Sequence, residues 1–432
     1  MPSRLVLRAA RVVDPASGRD ERTDLLIEDE TIASLEAGAS APKGKDIDCD
    51  GLVVAPGLVD LHAHLREPGG EQRETIETGS CAAAAGGFTA VVAMANTDPV
   101  ADNAAVVQEV LSLAEKAGRC DVFSAGAITR GLKGEELAEI GEMAEQGVRI
   151  FSDDGKCVDD AQLLRLALEY AKAFDVIIAE HCEDSELARG WQMHEGHTSS
   201  LLGLNGVPSE AEDVIVSRDI SLARLTGGRL HILHLSSARS AEEVRRAKGD
   251  GTRVTSEVTP HHLVFTDEDL AGYDTNLKVN PPLRSPEDRD ALRRAVADGT
   301  VDAIATDHAP RAAEEKEVEF DAAGPGSIGL ETALAAGITE LVEPGILTMT
   351  RLIESLSVAP AGILGASEHG GPIEPGRPAN LVVFDPEAAW DVRPPFASMS
   401  ENSAFLGRTL RGRVVHTLLR GEFTHRDGRP AR

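Results

Sequence analysis

The alternation of apolar and polar positions divides the chain into three regions. Residues 1–54 carry short β-branched runs separated by turn residues, such as LVLRAARVVD and GLVVAPG. Residues 366–432 repeat this pattern in NLVVFDP and RGRVVHTLLRGEF. Such runs predict hairpin-rich β structure, and neither end is long enough for a complete core. We therefore expect both ends to pair into one discontinuous β-sandwich domain, since an inserted domain leaves the flanking segments close together.

Residues 55–365 change to short apolar runs that alternate with amphipathic stretches such as AQLLRLALEYAKAF. This alternation predicts βα units around a parallel sheet. The runs predicted as strands are Val53–Val59, Ala90–Ala95, Asp121–Ala127, Val148–Phe151, Val176–Ala179, Leu230–Leu235, Arg253–Val258 and Asp302–Ala305. Eight such units favour an α/β fold of the closed (β/α)₈ or TIM barrel type over an open doubly wound sheet.

Charge and cysteine content limit the binding partners and the cellular location that we expect for the protein. Its 43 basic residues against 72 acidic ones give a net charge of −29, which argues against nucleic-acid and anionic-membrane partners. Five scattered cysteines without a CxxC spacing indicate reduced thiols, and three arginines among the first eleven residues interrupt any signal peptide. The uncharged segment 78–97 is long enough to cross a bilayer, but its Gly86-Gly87 break indicates a helix stop before a strand. We expect a cytoplasmic protein.

Residues that bind metals follow several of the predicted strands. The first strand ends in VDLHAHLREPG, where His62 and His64 lie two positions apart and project to the same side of extended backbone. Four further strand ends carry Asp153 and Asp154, His181, His234, and Asp307 with His308. Because catalytic groups of such barrels lie at the carboxyl ends of strands, the joint pattern predicts a metal centre. Imidazole and carboxylate ligands suit Zn²⁺ and leave Mn²⁺, Co²⁺ and Fe²⁺ open. No P-loop competes with this interpretation.

Seven short passages carry a family resemblance. They are DLHAHLREPG at 60–69, MANTDP at 94–99, FSDDGK at 151–156, AEHCED at 179–184, VTPHHL at 258–263, VNPPLR at 279–284 and ATDHAP at 305–310. With these passages the chain resembles, nearly end to end, a dihydroorotase of the type I branch of the amidohydrolase superfamily. The resemblance implies the barrel and β-sandwich of that superfamily.

The resemblance also implies a ligand set for two zinc ions. His62, His64 and Asp307 would bind one ion, His181 and His234 the other, and an aspartate of FSDDGK would bridge them. We assign the bridge to Asp154, with Asp153 as the alternative. Related hydantoinases and dihydropyrimidinases use a carboxylated lysine at this point, whereas the nearest lysines here, Lys133 and Lys156, do not stand at the strand tip.

The implied chemistry is the reversible hydrolysis of L-dihydroorotate to N-carbamoyl-L-aspartate, a step of de novo pyrimidine (UMP) biosynthesis. A water shared by two divalent cations has a pKa near neutrality, so a bridging hydroxide can attack the cyclic amide. The resemblance makes Asp307 the residue that carries the proton from this hydroxide to the departing ring nitrogen.

Arg66 narrows the substrate class. It follows His64 by two positions, and its planar guanidinium can hold a carboxylate with two parallel hydrogen bonds. Its other possible partner is the neighbouring Glu67. The resemblance makes Arg66 and Asn96 the clamp on the substrate carboxylate. It assigns contacts with the ring amides to Asn280 and to the backbone around Pro325 and Gly326.

The chain departs from the family pattern after DHAP, where a histidine is common and this sequence has Arg311. Our hypothesis is that Arg311 supplies the same positive hydrogen-bond donor with a longer reach. For His261, His262 and His308 we expect structural or supporting roles.

Two other functions remain as alternatives. A hydrolase of hydantoin, dihydropyrimidine or allantoin is disfavoured by Arg66 with Asn96 and by the missing lysine. A non-catalytic dihydroorotase-like scaffold for aspartate carbamoyltransferase is disfavoured because all four histidines are present. By the same resemblance we expect a homodimer that can form a complex with aspartate carbamoyltransferase, besides a small-molecule substrate.

Overall fold

The computed structural model describes residues 4–39 and 45–431. Residues 1–3, 40–44 and 432 of the predicted β domain lie outside this range. Five strands precede the barrel: β1 (Arg4–Asp14), β2 (Arg19–Glu28), β3 (Thr31–Leu35), β4 (Lys45–Asp48) and β5 (Val53–Pro56). Ten strands follow: β6 (Leu58–Ala63), β7 (Phe88–Ala93), β8 (Asp121–Ser124), β9 (Ile150–Phe151), β10 (Ile177–Glu180), β11 (Met193–His194), β12 (Gly206–Val207), β13 (Arg229–Ile232), β14 (Val254–Val258) and β15 (Ala303–Ile304). The last four are β16 (Leu381–Asp391), β17 (Thr409–Leu419), β18 (Glu422–Arg426) and β19 (Arg429–Pro430).

Eight of these strands form a closed parallel barrel. One parallel sheet runs β6-β7-β8, and a second runs β9-β10-β13-β14-β15. Two parallel bridges join the sheets: Gly126 pairs with Phe151, and Ala63 pairs with His308. At the second bridge the amide of His64 donates to the carbonyl of His308 over 2.8 Å. Each predicted run overlaps one barrel strand, so the predicted TIM barrel is confirmed.

The first predicted run was wrong in one respect. Val53–Val59 is not one strand but two, which belong to different sheets on either side of Gly57. β5 pairs with β1 and β16, and β6 pairs with β7 in the barrel. A Cβ at Gly57 would overlap the side chain of Thr89, which explains the glycine at this crossing. An apolar run has the same composition in either sheet, so the sequence alone could not show the division.

Both chain ends join in one nine-stranded sheet. Its hydrogen-bonded order is β19-β18-β17-β16-β5-β1-β2-β3, with β4 paired to β1. The pairing of β5 with β16 is therefore the seam between the two ends of the chain. Side chains including Leu7, Leu25, Ile27, Leu381 and Leu418 form its own buried core. The predicted association of the two ends is confirmed, and the exact boundaries at 54/55 and 365/366 stay predictions.

Helices cover the barrel. They are α1 (Ile76–Ala85), α2 (Ala104–Ala117), α3 (Ile140–Glu145), α4 (Ala161–Ala171), α5 (His197–Leu202), α6 (Glu210–Thr226), α7 (Ala238–Gly249), α8 (Pro260–Val264), α9 (Pro286–Ala297), α10 (Ala313–Lys316), α11 (Ala333–Gly337), α12 (Met349–Ile353) and α13 (Ala359–Leu364). The uncharged segment 78–97 is the rest of α1, a turn at Gly86-Gly87 and strand β7, as predicted. Within the described ranges, no helix combines the length and apolarity that a membrane crossing needs.

Candidate metal centre

The histidine pair lies at the carboxyl end of β6. His62 is fully buried, and its Nδ1 is 2.8 Å from Oε1 of Glu257 on β14. Because a carboxylate only accepts, Nδ1 carries a proton, so in the neutral ring Nε2 carries the lone pair. This Nε2 has no hydrogen-bond partner in residues 4–39 and 45–431. It faces Asp154 Oδ2 at 3.4 Å and Asp307 Oδ1 at 3.6 Å. A buried imidazole nitrogen without a partner fits a metal ligand, since buried polar atoms are otherwise bonded.

His64 points its ring at the same two carboxylates. Its Nδ1 donates to Oδ1 of Asn96 over 3.0 Å, so in the neutral ring Nε2 carries the lone pair. This Nε2 lies 3.1 Å from Asp307 Oδ1 and 3.3 Å from Asp154 Oδ2. The ligand-type nitrogens of both histidines therefore converge on the same pair of aspartates.

Asp154 joins this group to a second one. Its Oδ1 lies 3.3 Å from Nε2 of His234 and 3.6 Å from Nδ1 of His181. The two oxygens of one carboxylate thus face two different histidine pairs, and Asp154 belongs to both potential ligand groups. This donor set of imidazoles and carboxylates fits two divalent cations that share one aspartate.

Asp153 has a different role. Its Oδ1 accepts hydrogen bonds from the amides of Ile128 and Thr129, at 2.8 and 2.9 Å, and its other oxygen accepts from the Thr129 hydroxyl. Burial raises the pKa of Asp153 in spite of these bonds. Lys156 donates to the carbonyl of Leu132 over 3.0 Å and so does not reach the histidines. The geometry favours Asp154 over both as the shared ligand.

The charges around the site suit a cation. Burial opposes protonation of His62, but Asp154 and Asp307 raise its pKa well above the usual value. Burial also opposes ionisation of Asp154 and Asp307, yet the nearby histidines hold both pKa values below the ordinary range. Two buried, ionised carboxylates favour bound positive charge.

Arg66 lies beside this centre. Within the described part of the chain its guanidinium makes a single hydrogen bond, from Nε to the carbonyl of Pro310 over 3.3 Å. Burial and the charges of Arg311 and Arg73 lower the pKa of Arg66 to about 9, which still leaves it charged at neutral pH. Glu67 is not its partner, because that carboxylate accepts from the amide of Ile76 at the start of α1. The guanidinium therefore keeps donors for an anion.

Asn96 and Asn280 contact the histidines. Asn96 accepts from His64, and its Nδ2 donates to the Asp154 carbonyl over 3.3 Å. Nδ2 of Asn280 lies 3.3 Å from Nε2 of His181, while its buried Oδ1 has no partner in the described residues. Asn280 therefore retains an acceptor at the centre, whereas Asn96 uses its oxygen and one N–H of Nδ2 to hold the ligands and keeps one N–H.

Arg311 makes more polar contacts within the protein than Arg66 does. Its Nε donates to the carbonyl of Pro325 over 2.9 Å, and its Nη1 lies 3.1 Å from Oε1 of Glu315. The amide of Gly326 donates to the carbonyl of Lys278, and the Gly326 carbonyl accepts from Asn402. The structure brings Arg311, Pro325 and Gly326 together, but most of their polar groups already have protein partners.

Of the three histidines expected to have structural or supporting roles, two differ from the ligand-type ones. His308 donates to Glu74 over 3.2 Å and accepts from the Gly329 amide, and His262 contacts the Thr259 hydroxyl and the Pro281 carbonyl. Both therefore use both ring nitrogens within the protein. His261 is buried, and its Nε2 has no partner among the described residues.

Two buried carboxylates escaped the sequence reasoning. Glu257 bonds to His62, and Asp60 accepts from the amides of Thr306 and His62, at 2.9 and 3.2 Å. Each is fully buried within a barrel strand. An acidic residue inside an otherwise apolar strand is the signal that could have found them, because such a group is seldom buried without a partner.

A closed parallel barrel with two histidine groups around one aspartate, joined to a sheet from both chain ends, defines a metal-dependent hydrolase of the amidohydrolase type. A solved structure described as an L-hydantoinase (dihydropyrimidinase) from Arthrobacter aurescens matches with a TM-score of 0.89 and 25% identity, covering 100% of this chain and 98% of that one. A dihydropyrimidinase from Brevibacillus agri, at 21% identity and a TM-score of 0.84, shares the fold over 99% of this chain and 96% of that one.

Sequence comparison defines the family more closely. The family model described as dihydro-orotase-like matches residues 51–240. The dihydroorotase of Leifsonia xyli is 52% identical over 410 residues, 94% of each chain. Those of Streptomyces coelicolor and Pelotomaculum thermopropionicum are 49% and 48% identical, over 99% and 98% of this chain and 99% of each relative. The chain belongs to the dihydroorotase family.

Proposed function

We propose that this chain is a zinc-dependent enzyme that catalyses the reversible hydrolysis of L-dihydroorotate to N-carbamoyl-L-aspartate. The observation that carries the proposal is the Asp154 carboxylate, whose two oxygens face two histidine pairs while Arg66 stands beside them. Family membership supports the reaction, since the relatives named above are dihydroorotases.

The proposed centre holds two zinc ions. His62, His64 and Asp307 are the proposed ligands of one ion, His181 and His234 of the other, and Asp154 of both. When bound, such ions lower the pKa of a shared water and polarise an amide carbonyl. The protein holds the ligands ready, because Glu257 and Asn96 bond to the far nitrogens of His62 and His64.

Asp307 is the proposed proton carrier. Its Oδ1 lies 3.1 Å from Nε2 of His64 and 3.6 Å from Nε2 of His62. The histidines keep its pKa low, so it is ionised at neutral pH and able to accept a proton during attack. It then delivers that proton to the ring nitrogen as the C–N bond breaks, so that this nitrogen becomes the terminal NH2 of the carbamoyl group and the attacked carbon becomes a carboxylate.

Arg66 is the proposed anchor for the substrate carboxylate. Its guanidinium keeps free donors, and Arg311 adds positive charge nearby. Asn96 completes the carboxylate side, and the buried Oδ1 of Asn280 can accept from a ring N–H. The backbone of Pro325 and Gly326 borders this side of the site through Arg311. A neutral hydantoin or dihydrouracil ring offers no charge for Arg66.

The deciding experiment measures turnover of L-dihydroorotate by the metal-loaded protein, with and without a chelator, beside metal analysis. We expect about two zinc ions per chain, loss of turnover with the chelator and recovery on adding zinc. A parallel panel with hydantoin and dihydrouracil should show little turnover. Chelator-resistant activity, or a preference for the neutral rings, would refute the proposal.

Further proposals concern assembly and setting. We propose a homodimer, a possible complex with aspartate carbamoyltransferase and a cytoplasmic location. The cytoplasmic location is supported by five cysteines that are all free thiols. Light scattering of the purified protein, alone and with the transferase, tests the first two proposals.

A further inference from the structure

A chain of buried polar groups runs through the barrel interior behind the metal centre. His62 Nδ1 donates to Oε1 of Glu257 over 2.8 Å, and His231 Nε2 donates to the other oxygen, Oε2, over 3.1 Å. Nδ1 of His231 accepts from the Thr255 hydroxyl over 2.8 Å. The side chains of His62, Glu257 and His231 are all fully buried.

Burying the Glu257 carboxylate in the barrel is energetically unfavourable. A carboxylate inside a barrel gives up its hydration, and apolar side chains of similar size normally fill that space. Glu257 recovers part of this cost through two imidazole donors, one on β6 and one on β13. Both of its oxygens are therefore held, and the carboxylate cannot swing away from His62.

We infer that Glu257 is a positioning residue for the metal site that contains His62 and His64. It fixes His62 in the Nδ1–H form, with Nε2 aimed at Asp154 and Asp307. His231, held by Thr255, keeps Glu257 in place from the other side. This inference rests on the proposed metal centre and adds to it a group that touches neither metal nor substrate. A carboxylate behind a ligand histidine orients the ring and increases its donor strength.

The test compares Glu257→Gln with a matched control. Glutamine keeps the size and one acceptor but removes the charge and the second acceptor. Glu331→Gln is the control, because Glu331 accepts from the amides of Ala397 and Ser398 and contacts none of the proposed ligands. The measurement is zinc release from the loaded proteins in competition with a chromophoric chelator, with Tm of the metal-free proteins recorded in parallel.

We expect Glu257→Gln to lower the affinity for one of the two zinc ions by about 10- to 100-fold. The affinity for the other ion should stay near the wild-type value. KM for dihydroorotate should stay close to wild type while kcat falls. Glu331→Gln should retain both ions. If Glu257→Gln lowers Tm but releases zinc like the wild type, Glu257 is only structural and the inference fails. If the wild type binds no zinc, the proposed function fails first.

A second measurement needs no variant. In wild-type protein labelled with ¹⁵N-histidine, long-range ¹H–¹⁵N spectra report which ring nitrogen carries the proton. We expect zinc to shift Nε2 of His62, with the proton on Nδ1 and hydrogen-bonded to a carboxylate. A His62 ring protonated on Nε2, or bonded to zinc through Nδ1, would overturn the inference even if Glu257→Gln failed to fold.

Discussion

The two ends of the barrel both hold a buried histidine beside a carboxylate, yet only one resembles a metal site. At the amino end, His369 donates from Nε2 to Asp121 over 2.9 Å, and its Nδ1 accepts from Thr89 at 3.0 Å. At the carboxyl end, His62 uses Nδ1 for Glu257 and leaves Nε2 without a partner in the described chain. The difference shows that burial and a neighbouring carboxylate do not make a ligand. What separates His62 from His369 is an Nε2 that has no hydrogen-bond partner among the described residues and faces the carboxylates of Asp154 and Asp307.

Cavity size would point to the wrong end. A cavity of about 780 Å³ opens at the amino end and is lined by Asp121, His369 and Arg420. A cavity of about 520 Å³ at the carboxyl end reaches His181 and Glu183. The larger cavity is lined by Asp121, His369 and Arg420, which already form hydrogen bonds with one another. Buried polar atoms without a hydrogen-bond partner therefore locate the active site better than cavity volume does.

The largest expected effect separates the two carboxylates. Asp154→Ala removes the shared ligand and should reduce kcat/KM by about 10⁴-fold, because the stabilisation lost is several kcal/mol. Asp121→Ala, at the other end, should leave kcat/KM near wild type. Steady-state assays with metal analysis check both variants. Equal losses would mean that the two ends are not functionally distinct.

Asp307→Asn tests the role of Asp307 in proton transfer separately from zinc binding. Asparagine cannot accept the proton, so kcat should fall by about 10³-fold. Zinc content should remain high, since His62, His64 and Asp154 stay in place. The check is kcat together with zinc per chain. A variant that keeps its zinc and turns over at the wild-type rate would remove Asp307 from the reaction.

The two arginines give a smaller contrast. Arg66 keeps free donors, whereas Arg420 makes two hydrogen bonds to Asp121, at 3.0 and 2.6 Å. Arg66→Gln should lower kcat/KM for dihydroorotate by about 10- to 100-fold, mostly through KM, because charged hydrogen bonds are lost. Arg420→Gln should leave KM unchanged. Arg311→Ala is the comparison within the site: an unchanged KM would remove Arg311 from carboxylate binding.

The smallest effect is on stability at low pH. Burial acts to raise the pKa of Asp121, but His369 and Arg420 outweigh it and lower the pKa. A lowered folded pKa adds stability above the unfolded value of about 3.9, and this stability is lost as the pH falls through the folded pKa. Metal-free Asp121→Asn should therefore be about 1–2 kcal/mol less stable than wild type near pH 7. Denaturant unfolding at neutral and acid pH should show this gap closing, and a constant gap would contradict the assignment.

The sequence predicted the elements well because the barrel strands are short apolar runs and the ligand-type residues follow them. His62 and His64 were found through their spacing, which regular strand geometry makes meaningful. Asp153 and Asp154 could not be told apart, because they lie in a loop whose backbone follows no repeat. The engagement of Arg311 with Glu315, four positions on in α10, depends on the same kind of local path. Glu257 reaches His62 across 195 positions of sequence, which no local pattern encodes.

Gly57 gives the ends of the chain a part in the chemistry. It is the single residue between β5 and β6, and its amide donates to the carbonyl of Asn380 over 2.9 Å. His62 stands only five positions further along the same backbone. One additional residue at this crossing would reverse the facing of the side chains along β6, and His62 and His64 would turn away from Asp154. The sheet formed by both chain ends thus fixes where β6 begins, and truncating either end should disturb the positions of His62 and His64.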